Sequence, residues 1–182
     1  AVSPEAIALN PPFDRLRAAV LYDAAARRLV SSLKFSDRTD LAPWMAAWMA
    51  RAGAELLACR PLVVPVPLHW TRLHLRRFNQ SAELARPIAR GSGNAYRPDL
   101  LVRRRRTPRQ VGLDALARQR NVEGAFAVPA RAAGEVRGRL VLLVDDVYTT
   151  GATIRACTRT LKRAGAAGVD VLVFARVPVG DI

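Results

Sequence analysis

From Leu140 to Ala175 the chain reads as a strand, a turn, a helix and a second strand, and few folds accommodate that order. Val141-Leu-Leu-Val144 is an unbroken apolar run that predicts a buried strand over Leu140–Val144. Asp145 and Asp146 stand at its end, followed by Val147, Tyr148 and the turn Thr149-Thr-Gly-Ala-Thr153. A helix is expected from Ala152 to Ala164, with Gly165 and Gly168 suited to its exit. Val169 to Ala175 is a second, largely apolar strand. Strands apolar along most of their length belong to parallel sheets covered on both faces. The expected fold is therefore α/β, a doubly wound, largely parallel sheet with helices on both faces and a helical N-terminal addition.

In such sheets ligands sit beyond the carboxyl ends of the strands, at a topological switch point. The turn before the second helix offers free backbone N–H groups and partial positive charge, which suit a phosphate. Gly151 allows close backbone approach, and Thr149, Thr150 and Thr153 add hydroxyl donors. Two carboxylates would repel a phosphate. Asp145 and Asp146 suit sugar hydroxyls, or the waters of a Mg²⁺ ion. A sugar phosphate satisfies both halves of the segment.

Upstream, Pro4, Pro11 and Pro12 mark residues 1–13 as an extended lead-in. The spacing of Leu16, Val20, Ala24, Leu29 and Leu33 predicts a helix from Leu16 to Phe35. Asp40 is placed to cap a second helix from Leu41 to Leu57, whose Trp44, Met45, Trp48 and Met49 are expected in the core. Leu62-Val-Val-Pro-Val-Pro67 predicts a buried strand, with a loop from Leu68 to Arg77 and then a helix from Asn79 to Ala89. Beyond the turn Gly91–Asn94, short strands are expected at Leu100–Val102 and Ala125–Val128. Arg103 to Gln110 is expected as an exposed basic loop, and Leu113–Asn121 as a polar helix. Residues 1–60 would then form a helical segment packed on a ligand-binding domain of residues 61–182.

Half of the 182 residues are hydrophobic, enough for a sizeable core, and no apolar run approaches membrane-spanning length. No signal-peptide pattern opens the sequence. Cys59 and Cys157 make neither a disulfide framework nor a zinc ribbon, so a reducing cytoplasm is the expected compartment. His69 and His74 lack the companions of a metal site, and Cys157 is expected to act as a small buried hydrophobe. The formal net charge of +14 points to a polyanionic partner, either nucleic acid or a phosphate-rich small molecule. Lys34 and Lys162 are the only lysines, but exchanging Lys for Arg creates no net excess.

The segment Val141–Thr153 resembles the motif by which type I phosphoribosyltransferases bind 5-phosphoribosyl-1-pyrophosphate (PRPP). The resemblance implies that Asp145 and Asp146 hold the ribose hydroxyls, with Mg²⁺ as cofactor, and that Thr149, Thr150, Gly151, Ala152 and Thr153 wrap the 5′-phosphate. Val64-Pro-Val-Pro-Leu68, Arg76-Arg-Phe-Asn-Gln80 and Leu84-Ala85 resemble the signature of ComF/GntX-type proteins. Thr107, Gln110, Leu113, Arg118, Asn121, Ala125 and Phe126 match a further segment of that family, as do Tyr22 and Leu33-Lys-Phe35. Arg77 stands where the family usually has Gly. Members often open with a cysteine-rich zinc module whose ligands have no counterpart here, so no metal is assigned directly to side chains.

Those resemblances imply a link to natural competence, with single-stranded DNA and competence-machinery proteins as partners. They also imply that Pro67 and Leu68 contact pyrophosphate, with Arg76 and Arg77 near enough in sequence to assist. Arg103, Arg104, Arg105 and Arg106 suit either a mobile loop closing over the site or a solvated basic loop. Phe78 and Tyr148 suit either base stacking or core packing. Thr149 stands where purine-salvage relatives often place an acid, and it cannot act as a base at neutral pH. Three functions stay open: phosphoribosyl transfer to an unidentified acceptor, single-stranded DNA binding without transfer, and PRPP sensing.

Overall fold

The computed structural model describes residues 10–35, 38–68, 78–105, 122 and 124–178. In chain order its elements are strand β1 (Arg15–Leu21), helices α1 (Ala24–Phe35), α2 (Ala42–Ala52) and α3 (Ala54–Ala58), strand β2 (Leu62–Pro65), helix α4 (Gln80–Ser92), strands β3 (Val102–Arg103) and β4 (Phe126–Ala127), the short helix α5 (Ala133–Val136), strand β5 (Leu140–Tyr148), helix α6 (Ala152–Arg163) and strand β6 (Gly168–Arg176). The main sheet is four parallel strands in the order β1-β6-β5-β2, and β3 and β4 form a separate antiparallel pair.

Two apolar layers cover the sheet. On one face Leu33, Met45, Met49, Leu84 and Ile88 pack against Val63, Leu142, Leu172 and Phe174. On the other, Ile154, Cys157 and Leu161 of α6 pack against Val64, Leu143, Val171 and Val173. Burial on both faces explains the uninterrupted apolar runs of β5 and β6. The helices after β2 and β5 therefore lie on opposite faces. The chain winds away in both directions between those strands, and a crevice opens at their carboxyl ends.

The first strand corrects the expectation that a helix starts at Leu16. Residues 15–21 pair in parallel with β6, from Arg15 opposite Asp170 to Leu21 opposite Arg176. Two clamps fix this register. Arg15 donates to both carboxylate oxygens of the buried Asp170, at 3.0 and 2.7 Å. The Asp14 carboxylate accepts from Val169 N at 2.7 Å and from Lys162 Nζ at 2.8 Å. Leu16 and Val20 satisfy both a helical and an alternating pattern, and the ion pair to a strand 155 residues away decides between them. Helix α1 begins only at Ala24, where the Asp23 carboxylate accepts from Ala26 N.

Three further expectations change. Asp40 caps nothing; it sits in a 3₁₀ turn, its carboxylate paired with Arg38 at 2.8 Å, and Leu41 makes no side-chain cap. The helix expected through Leu57 breaks at Gly53, where a Cβ would lie 2.9 Å from a Leu172 methyl. Met45 and Met49 are buried as expected, but Trp44 and Trp48 are 74% and 55% exposed. The two tryptophans lie on the outward face of α2, and only Trp48 touches the core edge, its ring 6.4 Å from that of Phe174.

Cys157 is fully buried and Cys59 exposed. Burial pushes the Cys157 thiol up, the Asp145 charge adds to this, and Arg103 opposes it. A thiol reagent near pH 8 is expected to take one fast equivalent at Cys59. Cys157 should react at least ~1,000-fold more slowly, through opening of the fold. Two fast equivalents on the native chain would contradict the packing of α6.

Candidate functional site

The crevice between the ends of β2 and β5 is built from three backbone segments. Strand β5 continues four residues past Val144, pairing as far as Tyr148 opposite Arg176. Asp145 and Asp146 therefore lie within the strand rather than at its end, which corrects the expectation and holds both on a rigid element. Asp145 is half-buried, and its Oδ1 accepts from Ser81 Oγ at 2.8 Å and from Asp146 N at 2.9 Å. Asp146 is buried, and its Oδ1 accepts from Val147 N at 2.8 Å. The two acids are thus unequal: one is tied to α4, the other to its own strand.

The second segment opens α6. Gly151 is the N-cap at φ +72°, a left-handed conformation that favours glycine, and no side chain caps the helix. The first intrahelical bond runs from Arg155 N to Gly151 O at 2.8 Å. The N–H groups of residues 151–154 precede that bond and point out of the helix end, beside Thr149, Thr150 and Thr153, which are half-buried. This is the geometry in which a helix terminus receives an anion. Tyr148 packs into the same corner, edge-on to Phe13 with ring centroids 6.1 Å apart. Burial raises its phenol, against the pull of Arg155, which hydrogen-bonds it, and of Arg176. Tyr148 is thus packed against Phe13 on one side, with its phenol held by Arg155.

A Cβ on Gly151 would lie 2.7 Å from Cε2 of that ring and closer still to its hydroxyl. Gly151→Ala is expected to cost about 2–3 kcal/mol, from left-handed backbone strain plus the clash. In a Tyr148→Ala background the same change should cost only about 1 kcal/mol, the backbone share alone. Equal costs in both backgrounds, measured by chemical denaturation, would remove the ring as the obstacle.

The third segment leaves β2. Val66 N bonds Val144 O at 2.9 Å, which extends the pairing past Pro65; Pro67 is buried and Leu68 half-buried. Asn79 joins this segment to α4. Its Nδ2 donates to Val66 O at 3.0 Å, while its Oδ1 accepts from Ser81 N at 3.1 Å as the N-cap of α4. Gln80 is buried beside it. The expectation that Asn79 and Gln80 belong to the site thus acquires a physical content: they seat α4 so that Ser81 reaches Asp145. Ser81, which directly follows Asn79-Gln80 in the sequence, carries no motif signal of its own and joins the site only through this bond.

Arg103 departs from the basic-loop expectation. It lies in β3, 9% exposed, its guanidinium 5.3 Å from the centre of the Phe126 ring. Arg104 and Arg105 are exposed. Arg106, Thr107, Gln110, Arg118 and Asn121 lie outside the described residues, as do His69, His74, Arg76 and Arg77. Among the described residues, no group of three or more His, Cys, Asp or Glu side chains could hold a metal ion, and no helix is long and apolar enough to cross a membrane.

Comparison with known proteins agrees with this architecture. The phosphoribosyl transferase domain family matches residues 81–181, from Ser81 through β6, and so takes in both acids and the whole α6 turn. Fold and site together define a protein of the phosphoribosyl transferase domain class. The chain is 38% identical over 175 residues to DNA utilization protein YhgH of Salmonella typhi, covering 91% of this chain and 74% of that protein. It is 33% identical over 114 residues to Competence protein F of Haemophilus influenzae, covering 63% and 49%. Within the phosphoribosyl transferase class, the chain belongs to the ComF family. Among solved structures, phosphoribosylpyrophosphate synthetase from Mycobacterium smegmatis is similar at a TM-score of 0.44 and 16% identity, over 72% of this chain and 33% of that one.

Proposed function

We infer that the crevice binds PRPP as its Mg²⁺ complex. The observation that carries this is the continuity of β5 into α6: two adjacent carboxylates on a rigid strand, followed within five residues by a glycine-capped helix terminus. The terminus suits the dianionic 5′-phosphate, and the acids suit the ribose hydroxyls. The donor set also fits Mg²⁺, which keeps several waters and takes one or two carboxylates together with substrate phosphate oxygens. Asp145 and Asp146 would hold it, directly or through water. When bound, the ion would neutralise charge on pyrophosphate. Pro67 and Leu68, at the end of β2, stand across the crevice on the side assigned to that pyrophosphate.

Transfer would break the bond from ribose C1 to pyrophosphate and form one to an acceptor. Thr149 offers no base at neutral pH, so the acceptor would need to arrive as a competent nucleophile. The names of the relatives, DNA utilization protein and Competence protein F, support a setting in the handling of incoming DNA for this chain as well. The excess of cations favours single-stranded DNA as a second ligand.

Titration calorimetry with PRPP, with and without Mg²⁺, tests the site. Saturable binding that strengthens with Mg²⁺ is expected, and absence of binding at millimolar PRPP would remove the assignment. A pyrophosphate-release assay over a panel of bases and amines separates a transferase from a PRPP sensor. Single-stranded DNA affinity that fails to fall steeply between 50 and 200 mM salt would exclude an electrostatic DNA surface.

A further inference from the structure

The two edges of the main sheet are finished differently. The β2 edge is short, carries Pro65, and is covered: Val63 N bonds Ala95 O at 2.8 Å and Arg97 N bonds Val63 O at 2.9 Å. The β1 edge is seven residues long, contains no proline, and among the described residues pairs with no strand on its outer side. Asp14 N and Tyr22 N both donate to β6, so the even-numbered residues turn their backbone groups inward. Parallel-strand alternation then turns the N–H and C=O groups of Arg15, Arg17 and Ala19, and the N–H of Leu21, to the open side. An open edge of this length is a template for another strand, and isolated folds usually blunt it with lysine, proline or a bulge.

The apolar surface lies at the same place. Leu21, Trp44 and Trp48 are three of the four large hydrophobic side chains exposed on the described structure, at 62%, 74% and 55%. Trp44 and Trp48 stand one turn apart on the outward face of α2. Trp48 stacks on Phe174, which lies in β6 between Val173 and Ala175, the partners of Ala18 and Val20 in β1, next to the end of that strand at Leu21. The charge of this corner points away from a polyanion. Both arginines of β1 are ion-paired, Arg15 with Asp170 and Arg17 with Glu55, and at the start of α2 Arg38 pairs with Asp40. In a chain of net charge +14, a corner in which these three arginines are ion-paired and Arg51, one turn beyond Trp48, is the exposed cation of the same helix face suits polypeptide better than nucleic acid or anionic lipid.

We propose that β1 is the contact between two copies of this chain, joined edge to edge about a two-fold axis into one continuous eight-stranded sheet. The edge is self-complementary, as such an isologous contact requires. With the axis at Ala18, Arg17 lies opposite Ala19 and Arg15 opposite Leu21, so no arginine faces an arginine. An axis perpendicular to the sheet keeps both α2 helices on the same face, so Trp44 and Trp48 of each copy flank the joint. Covering these four rings removes on the order of 500 Å² from water, to which strand pairing adds. That approaches the range of specific interfaces, about 1,200–2,000 Å² in total. The inference is independent of the PRPP assignment, because the joint uses no residue of the crevice.

Sedimentation of the full chain across 1–100 µM tests it. A dimer is expected for the unaltered chain. Ala19→Pro removes one outward N–H without touching the bonds to β6, and Trp44→Glu places a charge in the apolar corner. Each should weaken association at least tenfold with circular dichroism unchanged. In a Cys59→Ser background, Ala18→Cys should form a disulfide-linked dimer on mild oxidation, because residue 18 meets its own copy at the axis. A monomer at 100 µM would overturn the proposal and leave the corner to a different polypeptide. A dimer indifferent to both variants, or no cross-link at residue 18, would overturn it equally.

Discussion

Replacing Asp145 and Asp146 together by asparagine is expected to weaken binding of Mg²⁺–PRPP by at least 100-fold, about 2.7 kcal/mol, while the fold persists. Asparagine keeps the volume of each side chain and an oxygen that can accept from Ser81 Oγ, Asp146 N and Val147 N, the bonds that the two carboxylates accept now. It loses the charge that attracts Mg²⁺ and the acceptor strength that holds two ribose hydroxyls. The unequal settings predict unequal single variants. Asp145→Asn should also loosen α4 slightly, because a charge-assisted bond to Ser81 becomes a neutral one. Asp146→Asn weakens a bond within its own strand rather than one to a helix, so its effect should fall chiefly on ligand. The readouts are calorimetric affinity and thermal midpoint, measured on the same preparations. Unchanged PRPP affinity in the double variant would mean the acids do not hold the ligand.

The second large effect is structural. Phe174→Ala is expected to destabilise the chain by about 3–5 kcal/mol and lower the melting midpoint by roughly 10 °C. Phe174 is 1% exposed on a strand flanked on both sides, so its neighbours cannot collapse into the space it leaves. Trp48→Ala makes the control. That ring touches Phe174 but is 55% exposed, so its removal should cost about 1 kcal/mol in the monomer. A Phe174→Ala loss below about 1.5 kcal/mol in denaturant titration would mean that the layer beneath α2 is looser than described.

The parts of the fold legible in the sequence were those whose pattern has one meaning. Leu140–Val144 and, apart from Asp170, Val169–Ala175 are short β-branched apolar runs bounded by turn residues, too short for a typical helix, so the sequence predicts β5, α6 and β6 with only their ends displaced. Strand β5 outran its expected end because Asp145 and Asp146 look like loop residues. Pairing with β6 and a bond to a serine on another helix keep them in the ladder. Strand β1 reads as helical in the sequence because Arg15 and Arg17 mask an alternating pattern whose ion partners, Asp170 and Glu55, lie elsewhere in the chain. Trp44 and Trp48 were expected inside because large aromatics usually are; their exposure is a property of the surface, which periodicity does not encode. In the site, the glycine-capped turn was readable because φ +72° selects glycine, whereas Ser81 was not, because its role depends on a helix docked 64 residues away.

The pairing of β1 with β6 has a kinetic consequence. The earliest of the described strands bonds to the latest of them, across 155 residues, and among the described strands it has no other partner. During synthesis at about 5–20 residues per second, β1 would wait roughly 10–30 s for its neighbour to leave the ribosome. Helices α1 and α2 can form in that interval, but the layer they complete needs Leu172 and Phe174 from β6. Completion of the main sheet is therefore expected to wait for β6, and until then β1 is a strand that other sequence must protect or a chaperone must shield.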